Sequence, residues 1–149
     1  MGDGDEIIRE ARGWRALVPG LLVSDLGRSV DVYTALFGFT LEHGIPGRLA
    51  VLGVEGEQLV LTQYDPADPL VVAELVTPFG RGVTLNVRTP DPKPCYERLR
   101  ESRYPIASPM EVAEFDDLGE RHQRTSFVVA DPDGYLLRFF EDLGERPAG

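Results

Sequence analysis

Residues 126–140 read SFVVADPDGYLLRFF, two apolar runs joined by Asp-Pro-Asp-Gly. Pro132 presets the backbone of a type I turn and Gly134 supplies the left-handed residue that closes it, so the segment predicts a β-hairpin with a glycine bulge. That turn pairs Asp131 with Tyr135. Counting outward sets Val128 opposite Arg138 and Ser126 opposite Phe140. Side chains alternate along a strand, so Phe127, Val129, Leu137 and Phe139 share one face, while His122, Arg124, Arg138 and Phe140 share the other. One face is apolar, and the other carries a guanidinium in mid-strand.

The same division recurs in GVTLNVRT (82–89), where Val83, Leu85 and Val87 alternate with Gly82, Thr84 and Asn86. An apolar sheet face has to be covered by another layer. PKPCYERLRES (92–102) predicts the covering helix, with Asp91 as cap and Pro92 and Pro94 in a first turn whose amides need no partner. PIASPMEVAEF (105–115), HQRTSFVVA (122–130) and YLLRFFED (135–142) predict three more strands. The order is β-α-β-β-β.

The first half repeats it. ALVPGLLVSD (16–25) predicts a strand that stops at Ser24 and Asp25, both good helix N-caps. Leu26, Val30, Tyr33 and Phe37 then recur at helical spacing, and Gly38 suits the left-handed position after a helix, with Phe39 as its apolar follower. FTLEHG (39–44), RLAVLGV (48–54) and QLVLTQY (58–64) predict strands separated by glycine-containing turns. YDPADPLVVAELVTPFGRG (64–82) connects the halves and is expected to hold a short helical turn in VVAELV (71–76). The organisation expected is a tail at 1–13, a module with its connector at 14–77, a second module at 78–144 and a tail at 145–149, together one structural domain.

Bulk properties narrow the function classes. The chain has 149 residues and a net charge of −10, which repels phosphate backbones and acidic lipid surfaces, so neither nucleic acid nor membrane is an expected partner. Cys95 is the only cysteine, which rules out an intrachain disulfide and a cysteine-built zinc site. The acidic start MGDGDEIIREARG lacks the features of a secretory signal, and no apolar run approaches about 18 residues. A cytoplasmic protein is expected.

VSDLGRSVDVYTALFGF (23–39) and VVADPDGYLLRF (128–139) together resemble the opening and closing segments of the glyoxalase and bleomycin-resistance superfamily, also called vicinal-oxygen-chelate proteins. The resemblance spans about residues 14–143 and implies an α+β fold of two tandem βαβββ modules with curved mixed sheets enclosing a cavity, often completed in a homodimer. Metal-dependent members carry one ligand on each of four strands. The resemblance sets those positions at Val18, Gly82, Thr62 and Arg138. None suits a divalent ion, since valine and glycine offer no donor, threonine is a poor ligand and a guanidinium is a fixed cation. No metal and no other cofactor is therefore expected. Read from residues alone, the favoured reading of Arg138 is a side chain that faces solvent or pairs with an acid such as Glu141.

If the apolar odd-numbered face lies under the helices, the even-numbered face lines the cavity. Thr62, Tyr64, Thr84, Asn86, His122, Arg124, Arg138 and Phe140 are then the candidate ligand-binding residues, set among Val18, Leu22, Val60 and Leu136; a few polar groups in apolar walls is how small-molecule pockets are built. His122 fits either a hydrogen-bonding role or a general base. The reading favoured is a metal-independent small-molecule-binding protein with no catalytic residue, resembling the drug-sequestering branch, with antibiotic capture as its use. Leu118 stands where drug-binding relatives present a tryptophan. The rival readings are a lyase, isomerase or oxygenase of the same superfamily, with Glu57, Gln63, Glu111, His43 and His122 as substitute ligands, or a purely structural interaction domain. The overall acidity favours a cationic ligand, whereas Arg124 and Arg138 favour an anionic one.

Overall fold

The computed structural model describes residues 13–146, so the expected tail at 1–13, but for Gly13, and residues 147–149 lie outside them. Among the described residues, eight strands and two helices follow as β1 (Gly20–Val23), α1 (Leu26–Ala35), β2 (Thr40–Ile45), β3 (Leu49–Val54), β4 (Glu57–Gln63), β5 (Thr84–Arg88), α2 (Lys93–Glu101), β6 (Ser108–Asp117), β7 (Glu120–Ala130) and β8 (Leu136–Arg146). The order β-α-β-β-β occurs twice, in two compact units that divide between Phe79 and Gly80. Each unit holds one mixed four-stranded sheet, ordered β1-β4-β3-β2 and β5-β8-β7-β6. In both, the first strand runs parallel to the last, and the remaining pairs are antiparallel. The fold class is α+β, as the resemblance implied.

In the first unit, Asp25 caps α1 by accepting a hydrogen bond from the Arg28 amide at 3.1 Å. Gln63 holds the helix to the sheet: its Oε1 accepts from the Leu26 amide at 2.9 Å and its Nε2 donates to the Ser24 carbonyl at 2.8 Å. Past the end of the helix the chain turns at Gly38, whose φ of +82° an L side chain rarely adopts. The Phe39 amide then donates to the Tyr33 carbonyl at 3.0 Å. Tyr33, fully buried, meets Phe37 and Phe39 edge-on with ring centroids 5.1 Å away in each case. Leu21, Val23, Leu59 and Leu61 are buried in the sheet against which α1 packs. Each such side chain contributes about 1.5–3 kcal/mol by leaving water.

The second unit follows the same plan. Phe127, Val129, Leu137 and Phe139 are buried, with Phe127 and Phe139 stacked at 5.3 Å, and Tyr96 of α2 brings its ring to 5.0 Å from Phe127. The odd-numbered face of this sheet is therefore the one under the helix. Val83 departs from that expectation, because it precedes β5 and is 43% exposed. The β7–β8 turn forms as read: Gly134 has φ +87°, the Asp131 amide donates to the Tyr135 carbonyl at 2.8 Å, and Val128 faces Arg138. Asp131 completes the turn by accepting from the amides of Asp133 and Tyr135, both at 2.9 Å. Gly80 packs so closely that an added Cβ would lie 2.6 Å from the Tyr135 Cα, so glycine is required there.

Three details differ from the sequence reading. VVAELV forms no helical turn. The connector is instead held through side chains, with Asp68 accepting from the Leu70 amide at 2.8 Å. Asp91 caps α2 from one residue farther out, accepting from the Lys93 amide at 3.0 Å, while Pro92 occupies the cap position. β8 continues to Arg146, beyond the expected strand end at Asp142, because β7 begins earlier, at Glu120, and pairs with it again at Arg121–Arg146 and His122–Glu145 past a bulge between His122 and Arg124. Leu118 and Gly119, with φ of +50° and +82°, form the tight β6–β7 turn that brings Asp117 opposite Glu120.

Candidate functional site on the second sheet

The parallel ladders give the two units a common frame. β1 and β4 start at the rung Gly20–Val60, and β5 and β8 at Thr84–Leu136. One alternation further on, Leu22 faces Thr62 in the first unit and Asn86 faces Arg138 in the second. Thr62 and Arg138 are thus structural counterparts. At that rung one module pairs a leucine with a threonine and the other pairs two strongly polar side chains, with Arg138 Nη1 donating to Asn86 Oδ1 at 3.2 Å. Arg138 pairs with this amide rather than with Glu141.

Around that pair, the even-numbered residues of the second sheet gather as the hairpin register required. Thr84 lies beside Leu136, Arg138 beside Val128, and Phe140 beside Ser126. Arg124 sits one rung farther and sends its guanidinium over two rings, with Cζ 4.5 Å from the Phe140 centroid and 5.2 Å from that of Phe115. His122 stacks on the other part of this cluster, its ring 5.4 Å from Phe115 and inclined by 18°. Arg124 Nε is buried without a hydrogen-bond partner among the described residues. Its cationic head is thus held by aromatic faces rather than by a carboxylate. Two acids share the face at this end, Glu111 opposite Ser126 and Asp142 opposite Arg124, and both are exposed.

Phe115 belongs to this group although the sequence reading used it only as the end of a strand. Its signal was available in principle, since β6 continues the same alternation, but a bulge between Ser108 and Glu111 shifts the register and hides which face it occupies. Thr62 and Tyr64 lie in the first unit. Thr62 is half-buried on β4, opposite Leu22 and Leu49. Tyr64 anchors the connector: its hydroxyl accepts from the Leu75 amide at 3.4 Å and its ring meets Phe79 at 6.0 Å. Val18 and Trp14 are half-buried.

The metal that the family resemblance brings to mind fits this donor set poorly. Val18 and Gly82 have no ligand atom, Arg138 is cationic, and Gly82 has φ +82°, so a histidine placed there would be strained. The substitutes do not converge either. Gln63 is engaged at the α1 terminus, His43, Glu57 and Glu111 are exposed on separate strands, and among the described residues no group of three His, Cys, Asp or Glu side chains is placed to hold an ion.

The first unit has a concavity of its own, about 540 Å³, lined by Thr40, Glu42, His43, Glu55, Glu57 and Gln58. Its best-buried polar group is Gln58, whose Nε2 donates to Glu42 Oε2 at 2.9 Å and whose Oε1 accepts from the Arg15 amide at 2.9 Å. These polar groups satisfy one another and hold the chain before β1 to the sheet.

Residues 16–139 match the family model described as Glyoxalase/Bleomycin resistance protein/Dioxygenase superfamily. The chain belongs to this superfamily. No curated protein matches it. Among solved structures, it is similar to a glyoxalase/bleomycin resistance protein/dioxygenase from Alicyclobacillus acidocaldarius, at 20% identity and TM-score 0.61, over 89% of this chain and 95% of that one. TioX from Micromonospora sp. ML1 is similar at 20% identity and TM-score 0.61, over 85% and 95% of the two chains. So is a lactoylglutathione lyase from Agrobacterium tumefaciens, at 18% identity and TM-score 0.57, over 85% and 92%. At these identities the likeness is one of fold, and a superfamily fold hosts many chemistries. Function has to come from this chain's own residues.

Proposed function

We propose that this superfamily member is a metal-independent small-molecule-binding protein that holds its ligand on the open face of the second sheet. The observation that carries this reading is the Arg138–Asn86 hydrogen bond at 3.2 Å, at the strand position where the resemblance calls for a metal ligand. A fixed cation there opposes a divalent ion through plain Coulomb repulsion. Thr84, Asn86, His122, Arg124, Arg138 and Phe140 are the binding residues proposed for this face, joined by Phe115. Capture of an antibiotic without turnover is the cellular use proposed.

A homodimer in the cytoplasm is the proposed form. Leu70, Val72 and Val76 of the connector are 86%, 98% and 59% exposed and Leu118 is 98% exposed, apolar surface that a second subunit would remove from water. Among the described residues no helix is long and apolar enough to cross a membrane.

Elemental analysis of the purified protein, paired with a thermal-shift screen of antibiotics and small organic acids, tests the proposal. Metal well below one equivalent, a melting temperature indifferent to EDTA, and a rise with a ligand are expected; a ligand at a hundred times its Kd stabilises by about 2.7 kcal/mol. One equivalent of nickel, zinc or iron whose removal lowers the melting temperature would defeat the reading in favour of a metalloenzyme.

A further inference from the structure

We infer that Arg138 and Asn86 together anchor the carboxylate of a small organic acid whose flat apolar body packs beside Phe140. The inference rests on the binding reading above and names the ligand's class. A guanidinium only donates hydrogen bonds, so the contact at 3.2 Å turns the Asn86 amide oxygen toward Arg138 and its NH2 group away. The pair then presents mostly donors, the remaining guanidinium N–H groups and both amide hydrogens, against a single spare lone pair on Asn86 Oδ1. A group with only acceptors completes such a patch. A carboxylate does so with charge-assisted bonds through both oxygens, a primary amide offers one acceptor oxygen and turns its NH2 toward the donors, and an ammonium would meet a like charge.

The surroundings agree. Arg138 is half-buried and makes no ion pair with a described residue; its neighbours on the same face are Asn86, Leu136, Val128 and Phe140, with Arg88 beside Phe140 and no acid among them. The acids of this face, Glu111 and Asp142, lie toward the Arg124 end, opposite Ser126 and Arg124. Arg124, lying 4.5 Å over the Phe140 ring, fixes that ring as a wall for a flat apolar group and adds a second positive charge. The chain's net charge of −10 opposes an anion only at long range. Salt screens charges beyond about 8–10 Å, whereas a ligand in hydrogen-bond contact with the guanidinium lies well inside that distance. The local donors therefore decide the sign of the ligand.

Isothermal titration of the full chain with benzoate and 2-naphthoate, their primary amides, benzylamine and phenyl phosphate tests this. The acids are expected to bind about tenfold or more tightly than the amides, the difference between a hydrogen bond to a charged and to a neutral group. Asn86→Asp, nearly the same shape, gives Arg138 a carboxylate of its own and is expected to erase the preference for acids. Should that variant fail to fold, Arg138→Lys keeps the charge but loses the planar fork, and is expected to weaken acid binding about tenfold. Amides or benzylamine binding as tightly as the acids, or an undiminished acid preference in Asn86→Asp, would overturn the carboxylate anchor while leaving the binding reading intact. Phenyl phosphate binding more tightly than benzoate would overturn the carboxylate assignment in the same way. Silence from every member of the panel also overturns it, and the thermal-shift screen then judges the binding reading separately.

Discussion

The two units share strand order, ladder direction and the position of the helix, yet differ where their parallel ladders reach the second same-face rung. Leu22 and Thr62 meet in one, Asn86 and Arg138 in the other. Their helices differ as well. α1 starts on a side-chain cap from Asp25 at the cap position, whereas α2 starts at Pro92 with Asp91 reaching in from outside. A repeated backbone plan therefore constrains which residues are buried under the helix and leaves the opposite face free to diverge. The apolar face is fixed by packing; the other face carries whatever chemistry the protein has.

The largest effect should come from the buried face. Phe127→Ala removes a ring packed between Tyr96 and Phe139, and is expected to lower unfolding free energy by about 3–5 kcal/mol in urea denaturation. Arg138→Met on the opposite face should change it by less than about 1 kcal/mol, and equal losses would break the contrast between the two faces. Next comes the hairpin that sets the register. Asp131→Ala leaves the Asp133 and Tyr135 amides without their acceptor in a buried turn, and a loss of about 1–3 kcal/mol is expected. Amide exchange at Tyr135 should quicken as well.

The helix termini sharpen the comparison further. Asp25→Ala should cost about 1 kcal/mol. Asp91→Ala should cost less, because Pro92 already presets the first turn and has no amide to satisfy. Chemical denaturation of the two variants side by side checks the order, and reversal would show that α2 depends on its outlying cap. Smallest is Cys95, on α2. Burial pushes its thiol above the usual range against the lowering influence of Arg98. A folded-state value above the unfolded one contributes stability that is fully present below the ordinary thiol range and is lost as pH rises through the raised value. Slow alkylation by iodoacetamide at neutral pH, quickening on unfolding, is the expected signature.

The hairpin was legible because its signals are local. Asp-Pro-Asp-Gly admits few backbone paths, and once Asp131 faces Tyr135 the alternation of side chains places Val128 against Arg138 without reference to the rest of the fold. α1 was legible for a similar reason, since Asp25 and Gly38 bracket an apolar stripe. The cluster around Arg124 was only half legible. His122, Arg124 and Phe140 followed from counting along the hairpin, but Phe115 arrives from β6 past a bulge, and a one-residue slip exchanges the faces of a strand. The helical turn expected in VVAELV failed because six residues of suitable type cannot nucleate a helix without packing, and Val72 and Val76 remain in solvent.

By itself the sequence determined the repeated order of elements, the apolar face of the hairpin strands, and the presence of a guanidinium in the middle of the last strand. These depend on periodicity, turn chemistry and residue identity, which act over a few positions. Only the tertiary structure decided that Arg138 turns to Asn86, that Tyr64 is occupied with the connector, and that Arg124 rests on Phe115 and Phe140. Such partners come from strands far apart in the chain, and which of several reachable groups a long side chain meets is settled by register and packing rather than by its own chemistry.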